Sequence, residues 1–151
     1  MMDTASFIQR ETEETKKNEE LFKQRIQDYW KVELEHLPST YTLDYAIKRG
    51  DGVVSWIELK CRDNEFERYP TYMISLKKWN TMRQFQASSH LKAFLGVAFT
   101  DGDYWVDVGQ VKEFEVKMGG MSTSKRNWSC DREPCVYFDT KFFKAWQTWK
   151  I

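Results

Sequence analysis

Leu43-Asp44-Tyr45 and, beyond a Gly50-Asp51-Gly52 turn, Val53-Val54-Ser55-Trp56-Ile57-Glu58-Leu59-Lys60-Cys61 are the stretches that decide the fold. Tyr41, Leu43, Tyr45 and Ile47 alternate with Thr42, Asp44, Ala46 and Lys48, the period-two pattern of a strand. The run from Val53 to Cys61 is rich in Val, Ile and Trp, and two such runs across a short glycine turn read as a hairpin. On the second strand Val54, Trp56, Glu58 and Lys60 share one face, while Ile57 and Leu59 share the other. Two opposite charges at the end of an apolar strand need a reason. The hairpin lays Asp44 on the neighbouring strand, so two carboxylates and an amine converge.

Outward from the hairpin, Thr4 to Leu34 holds neither Gly nor Pro and is dominated by Glu, Lys, Gln and Arg. This predicts one long N-terminal helix within residues 1–35, with Phe22, Ile26, Tyr29 or Trp30, and Leu34 as its apolar stripe and Pro38 as its stop. Asp63 to Pro70 reads as a loop. Ser75 caps a helix from Leu76 to about Ser88, with Leu76, Trp79, Met82 and Phe85 on one face. Lys92 to Phe99 reads as a central strand, Thr100 to Asp103 as a turn, and Tyr104 to Val108 as the next strand. Val111 to Met118 alternates apolar and charged residues. Residues 119–133 read as a flexible surface loop, Val136 to Phe138 as a short strand, and Phe142, Phe143, Trp146 and Trp149 as a short closing helix. The expected architecture is α/β (α+β), a mixed central sheet flanked by helices in a single domain over 1–151.

Composition narrows the class. The chain has 151 residues, 41% hydrophobic and 30% charged, with 7 Gly and 3 Pro, which excludes collagen-like and wholly disordered chains. Its longest apolar run, Ala93 to Phe99, has 7 residues, against about 18 for a membrane span. Met1 to Glu14 lacks the basic and apolar regions of a signal peptide, so a cytoplasmic, intracellular protein is expected, and its size suits a phage or bacterial origin. Cys61, Cys130 and Cys135 form no C-x-x-C pair and read as reduced thiols. Net charge is zero but unevenly spread. No acid lies between Arg68 and Thr100, where Arg68, Lys77, Lys78, Arg83 and Lys92 stand, so one face can be positive.

The convergent trio has a clear use. Two carboxylates on adjacent strands make a hard, all-oxygen site for Mg²⁺, with Mn²⁺ as a substitute, and the Leu59 carbonyl adds an oxygen. Such a cation lowers the pKa of a bound water and offsets charge on a phosphate. Lys60 is placed to orient that water. The plainer reading of Glu58 and Lys60 is a cross-strand ion pair on a surface.

Asp44, followed after thirteen residues by Glu58-Leu59-Lys60, resembles the PD-(D/E)XK nuclease superfamily, whose members include restriction endonucleases, Holliday-junction resolvases and repair nucleases. The order of elements from about Glu19 to Val108 is similar to that family's restriction-endonuclease-like αβββαβ core. The motif's Pro is replaced by Leu43, and the C-terminal tail is not covered. The resemblance implies Asp44 and Glu58 as metal ligands and Lys60 as the motif lysine. It implies a further glutamate from the first helix, for which Glu19 on the stripe with Phe22 and Ile26 is preferred to Glu20. It also implies a lysine early in the next helix near the scissile phosphate, Lys78 rather than Lys77.

The function expected is therefore a Mg²⁺-dependent DNA endonuclease, resolvase-like in preferring branched DNA. Asp44, Glu58, Lys60 and Lys78 are its catalytic residues. Asp44, Glu58, Leu59 and Glu19 are its metal ligands, and Arg68, Tyr72, Lys77, Lys78 and Arg83 its nucleic-acid contacts, with Tyr69 beside them. Resolvase-like members work as dimers, which implies a homodimer built on the first helix or the aromatic C-terminus. The alternative is a catalytically inactive nuclease-fold module that binds nucleic acid or a protein partner.

Overall fold

A computed structural model describes residues 4–120 and 132–148. Their elements are α1 (Thr4–Trp30), β1 (Glu33–His36), β2 (Tyr45–Arg49), β3 (Gly52–Cys61), β4 (Thr71–Ser75), α2 (Leu76–Ser89), β5 (Ala93–Phe99), β6 (Gly102–Asp107), β7 (Glu115–Gly120), β8 (Arg132–Asp139) and β9 (Lys144–Thr148). Six strands form one sheet in the order β1-β2-β3-β5-β6-β9, and β4-β8-β7 form a second, smaller sheet. β3 and β5 are parallel; the other pairs are antiparallel. The architecture is the expected mixed central sheet with helices.

The hairpin forms as its pattern requires, with Tyr45 opposite Ile57 and Gly50 in the left-handed conformation (φ 62°) at the turn. Strand alternation then sorts two cores. Ile57 and Leu59 meet Phe22 and Ile26 of α1 on one face. On the other face Trp56 packs against Phe85 of α2 and donates from Nε1 to Ser89 Oγ at 2.9 Å. That second layer also holds the inner face of the small sheet, with Tyr72, Ile74, Val136 and Phe138 buried. Each large aliphatic or aromatic group so buried is worth about 1.5–3 kcal/mol.

Several elements differ from the sequence reading. The first helix ends at Trp30, because Lys31 turns left-handed (φ 55°). Glu33–His36 becomes an edge strand on β2, with Leu34 buried and its N–H donating to Gln27 Oε1 at 2.9 Å. Leu34 stands four residues after Trp30, so its spacing imitates a continuing helical stripe. β1 supplies the third strand that an αβββαβ order needs. Residues 71–75, to which the pattern assigns no strand, form β4, while Ser75 caps α2 as expected by accepting from Lys77 N–H at 3.2 Å.

The closing segment is strand β9 and not a helix. Lys144 and Ala145 pair with Trp105 and Tyr104 of β6. Phe143 and Trp146 look adjacent on a helix, yet an extended chain sends them to opposite layers. Phe143 joins Tyr72 and Phe99, and Trp146 joins Phe22, Tyr29 and Trp30. These aromatics are spent inside the fold, which removes them as the dimer surface. Trp146 fits because Gly96 leaves room: a Cβ there would lie 3.3 Å from the Trp146 ring and 3.2 Å from Leu59 Cδ2. The loop expected over 119–133 is strand at both ends, and its middle, with Lys125, Arg126 and Cys130, lies outside the described residues, as does Trp149. Cys61 and Cys135 are free thiols. Among the described residues no helix is long and apolar enough to cross a membrane.

One polar clamp fixes α1 to the sheet. Asp103 of β6 is 0% exposed, and its carboxylate accepts from Arg25 Nε at 2.6 Å, Arg25 Nη2 at 3.0 Å and Tyr29 Oη at 2.7 Å. The two-pronged guanidinium contact supplies direction as well as charge. Replacing Asp103 with Ala removes the shared acceptor. The expected loss is about 3 kcal/mol, low in the range for a broken buried pair because the Arg25 side chain is 30% exposed. Urea unfolding measures that loss, and amide exchange in α1 should quicken before exchange in β3 and β5.

Candidate active site

Asp44 stands one residue before β2, between buried Leu43 and buried Tyr45. Leu43 anchors the approach by packing into the α2-side core. The antiparallel register puts Asp44 beside Glu58, one step beyond the Tyr45–Ile57 pair. Backbone hydrogen bonds lock the two together. Asp44 N–H donates to Glu58 Oε1 at 3.2 Å, and Leu59 N–H donates to Asp44 Oδ2 at 2.9 Å. In an extended strand a residue's N–H and C=O point to the same edge. The Leu59 carbonyl therefore faces the Asp44 side of β3.

Glu58 is a buried charge held from three sides. It is 1% exposed. Lys78, near the start of α2, places Nζ 3.2 Å from Glu58 Oε2, and Lys60 places Nζ 3.8 Å from the same oxygen. Lys78 Nζ also donates to the Thr42 carbonyl at 2.9 Å. That carbonyl is aimed by the left-handed backbone of Thr42 (φ 54°). Burial, and then the neighbouring Asp44 charge, push the Glu58 carboxyl up to about 7 against the opposing pull of Lys78 and Lys60. Such a group is poised between its two forms near neutral pH.

Glu19 approaches from α1, on the opposite side of the sheet. Its Oε2 accepts from Tyr45 Oη at 3.1 Å. Burial and the charge of Asp44 raise its carboxyl above the ordinary range, and the Tyr45 hydrogen bond opposes this. Glu20 is exposed and pairs with Lys23 at 3.9 Å. Among the described residues no three Asp, Glu, His or Cys groups form a ready-made metal cluster. Asp44 and Glu58 are in contact, and Glu19 is held to one side on Tyr45.

The remaining expected residues divide. Arg68, Lys77 and Arg83 are exposed. The Arg83 guanidinium lies 5.8 Å from the Trp79 ring centre, and that of Arg68 5.6 Å from the Tyr69 ring centre. Tyr72 is 5% exposed and packs against Phe138, so it stands not on the open face with Arg68 and Lys77 but in the wall of a cavity. Two contributors went unread in the sequence. The Thr42 carbonyl depends on a backbone conformation with no residue signature beyond its place before Leu43-Asp44. Arg62 follows the motif lysine by two residues, and so sits on the same face of the chain as Lys60.

Comparison with known proteins gives the family and the fold. The family described as "phage putative PDDEXK endonuclease" matches residues 8–146. No curated protein matches the chain. A Holliday junction resolvase, Hjc from the archaeal hyperthermophile Archaeoglobus fulgidus, is similar in structure, with TM-score 0.52 and 12% identity over 83% of this chain and 86% of that one. D212, a nuclease from a fusselovirus, superposes with TM-score 0.45 and 14% identity over 96% of this chain and 89% of that one.

The Glu58 environment predicts a pH effect on stability. A carboxyl whose folded pKa stands near 7, above its ordinary 4.5, keeps its proton in the folded chain where the unfolded chain has lost it. Stability is then full below the unfolded pKa and falls as pH rises through the folded one. In chelator, thermal melts should show Tm falling between about pH 5 and pH 8. Glu58→Gln should flatten that fall and exceed the native chain in Tm at the upper pH.

Proposed function

Because this chain belongs to the family of phage PDDEXK endonucleases, and is thereby a nuclease of that type, we propose that it hydrolyses DNA phosphodiesters with a divalent cation held at Asp44 and Glu58. One observation carries the reading. A nearly fully buried carboxylate is kept beside a second carboxylate by two backbone hydrogen bonds, with two lysine ammonium groups on its other side. A surface ion pair needs none of that.

The donor chemistry suits Mg²⁺ or Mn²⁺: two carboxylates and the Leu59 carbonyl are hard oxygen ligands. Glu19 is the third acidic candidate from α1. When bound, the cation would lower the pKa of a water and offset charge on the phosphate. The chain's own groups do the rest. Asp44 is oriented by the Leu59 N–H, which fixes one oxygen and leaves the other free to point outward. Lys60, on the same strand face as Glu58, is the group to position the attacking water. Lys78 Nζ meets the Thr42 carbonyl and both Glu58 oxygens, and would turn a donor from Glu58 to a phosphate oxygen when the cation takes that carboxylate. Exposed Lys77, Arg83 and Arg68 extend the positive face along the DNA backbone. A homodimer would set two such sites on two strands.

Labelled four-way junction, flap, duplex and single-stranded DNA, incubated with Mg²⁺, Mn²⁺ or EDTA, test the reading. Products are expected only with metal. Lys60→Ala and Asp44→Asn should each lower the single-turnover rate by about 10²–10⁴-fold. Lys78→Ala should weaken phosphate binding and lower the rate less. Junction and flap cut in preference to duplex would support the resolvase-like form. No product from any substrate, by a folded protein that also fails to bind metal, would leave the inactive binding module.

A further inference from the structure

Beside the motif lies a cavity of about 440 Å³ that the mechanism above does not use. It opens between the chain that leaves β3 and the outer edge of β4, with Tyr69, Met73 and Tyr137 in its lining. Its volume falls in the range of small-ligand sites, about 300–1,000 Å³. Arg62 and Met73 line it and also line the adjoining groove that contains Lys60 and Lys78. The cavity and the motif therefore share one continuous wall.

Three features indicate what it holds. Tyr69 is 56% exposed, a high value for an aromatic ring in a chain with so large a buried aromatic core. Arg62 is set at the junction between cavity and motif, with Nη2 3.5 Å from the Met73 carbonyl and its guanidinium 5.1 Å from the Tyr72 ring centre. Tyr72 is 5% exposed and lines the cavity; Arg62 approaches its buried hydroxyl oxygen as a donor, and the hydroxyl's own proton meets no acceptor among the described residues. A buried, unsatisfied donor costs about 1–3 kcal/mol in general, so an acceptor from outside the chain would relieve it. Burial pushes that hydroxyl up to about 12, which keeps it a neutral donor. An exposed ring, an unspent hydroxyl and a guanidinium on the path to two lysines match a base, its polar edge and its phosphate.

We propose that this cavity receives an unpaired nucleotide of the DNA strand that is cut, with Tyr69 stacking on the base, the Tyr72 hydroxyl bonding its edge and Arg62 holding the phosphate that leads to Lys60. The inference rests on the nuclease reading and sharpens its substrate class. A base in a continuous duplex is stacked and paired, so it cannot enter; a fork, flap or junction arm offers a base that can.

The test is equilibrium binding in EDTA, followed by anisotropy, with three labelled DNAs: a continuous duplex, a fork with single-stranded arms, and the same fork with abasic arms. The fork should bind about tenfold tighter than the other two, the scale of one stacked base. Tyr69→Ala should remove that advantage and leave duplex binding unchanged, and Tyr69→Phe should restore it. Tyr72→Phe, which keeps the ring in the core, should weaken the intact fork several-fold and the abasic fork not at all. Equal binding of fork and duplex overturns the proposal, as does an abasic fork that binds like the intact one. So does dAMP that competes as well as the fork, since that would mark a free-nucleotide site. Cleavage is not read, so the two readings fail separately. A protein that grips forks through Tyr69 and cuts nothing keeps this inference and loses the nuclease. One that cuts DNA and ignores Tyr69→Ala does the reverse.

Discussion

A carboxylate that is 1% exposed within an apolar strand has to be compensated, and the groups that compensate Glu58 organise the rest of the molecule. An unpaired charge in such a place would cost several kcal/mol. The Asp44 N–H meets it from the hairpin partner, Lys78 from the second helix and Lys60 from its own strand. Each donor fixes one element. The β2–β3 register sets Asp44, the Ser75 cap sets where α2 begins and so where Lys78 reaches, and strand alternation sets Lys60. Even so, the compensation is incomplete, because burial and Asp44 outweigh both lysines and hold the group near neutral pKa. That imbalance suits the further positive charge of the cation proposed for the site.

The second demand is that α1 stay aligned, since Glu19 reaches the site only from that helix. Apolar contact through Phe22 and Ile26 holds the helix down but does not fix its rotation or its slide. The Asp103 clamp does, because a two-pronged guanidinium contact is directional. Arg25 and Tyr29 lie on the same helix as Glu19, so the clamp at one end and the Tyr45 hydroxyl at the other define its seat. Tyr29, pushed up to about 12 by burial and Asp103, remains a donor throughout the range in which such a site would operate.

Local pattern carried the hairpin, the capped second helix, the central strand and the pairing of Asp44 with Glu58, because each depends on neighbours in sequence. Of the two lysines that open the second helix, Lys78 turns toward Glu58 while Lys77 is exposed. What stayed hidden depends on partners far along the chain. β1 is a strand because β2 offers an open edge, not because Glu-Leu-Glu-His favours one. β9 is a strand because β6 needs a partner, and aromatic residues suit both helix and strand spacing over so short a run. The Asp103–Arg25 contact spans 78 positions and leaves no trace in local composition. Tyr69 and Tyr72 look alike in sequence, yet only strand entry separates them.

That separation explains how a small chain divides its labour between two sheets. The large sheet holds the carboxylates within the pairing of β2, β3 and β5, with Glu58 opposite Leu95. The small sheet cannot form a core alone, so it turns Tyr72, Ile74, Val136 and Phe138 inward and keeps Met73 and Tyr137 on its outer side. Its free edge, β4, runs beside the chain leaving the motif, and Arg62 bridges the two through the Met73 carbonyl. The same alternation that buries Tyr72 for stability therefore also strands its hydroxyl next to a cavity, and leaves Tyr69, just before the strand begins, outside it. A feature that costs stability and adjoins the motif is placed where substrate binding, and not packing, can repay it.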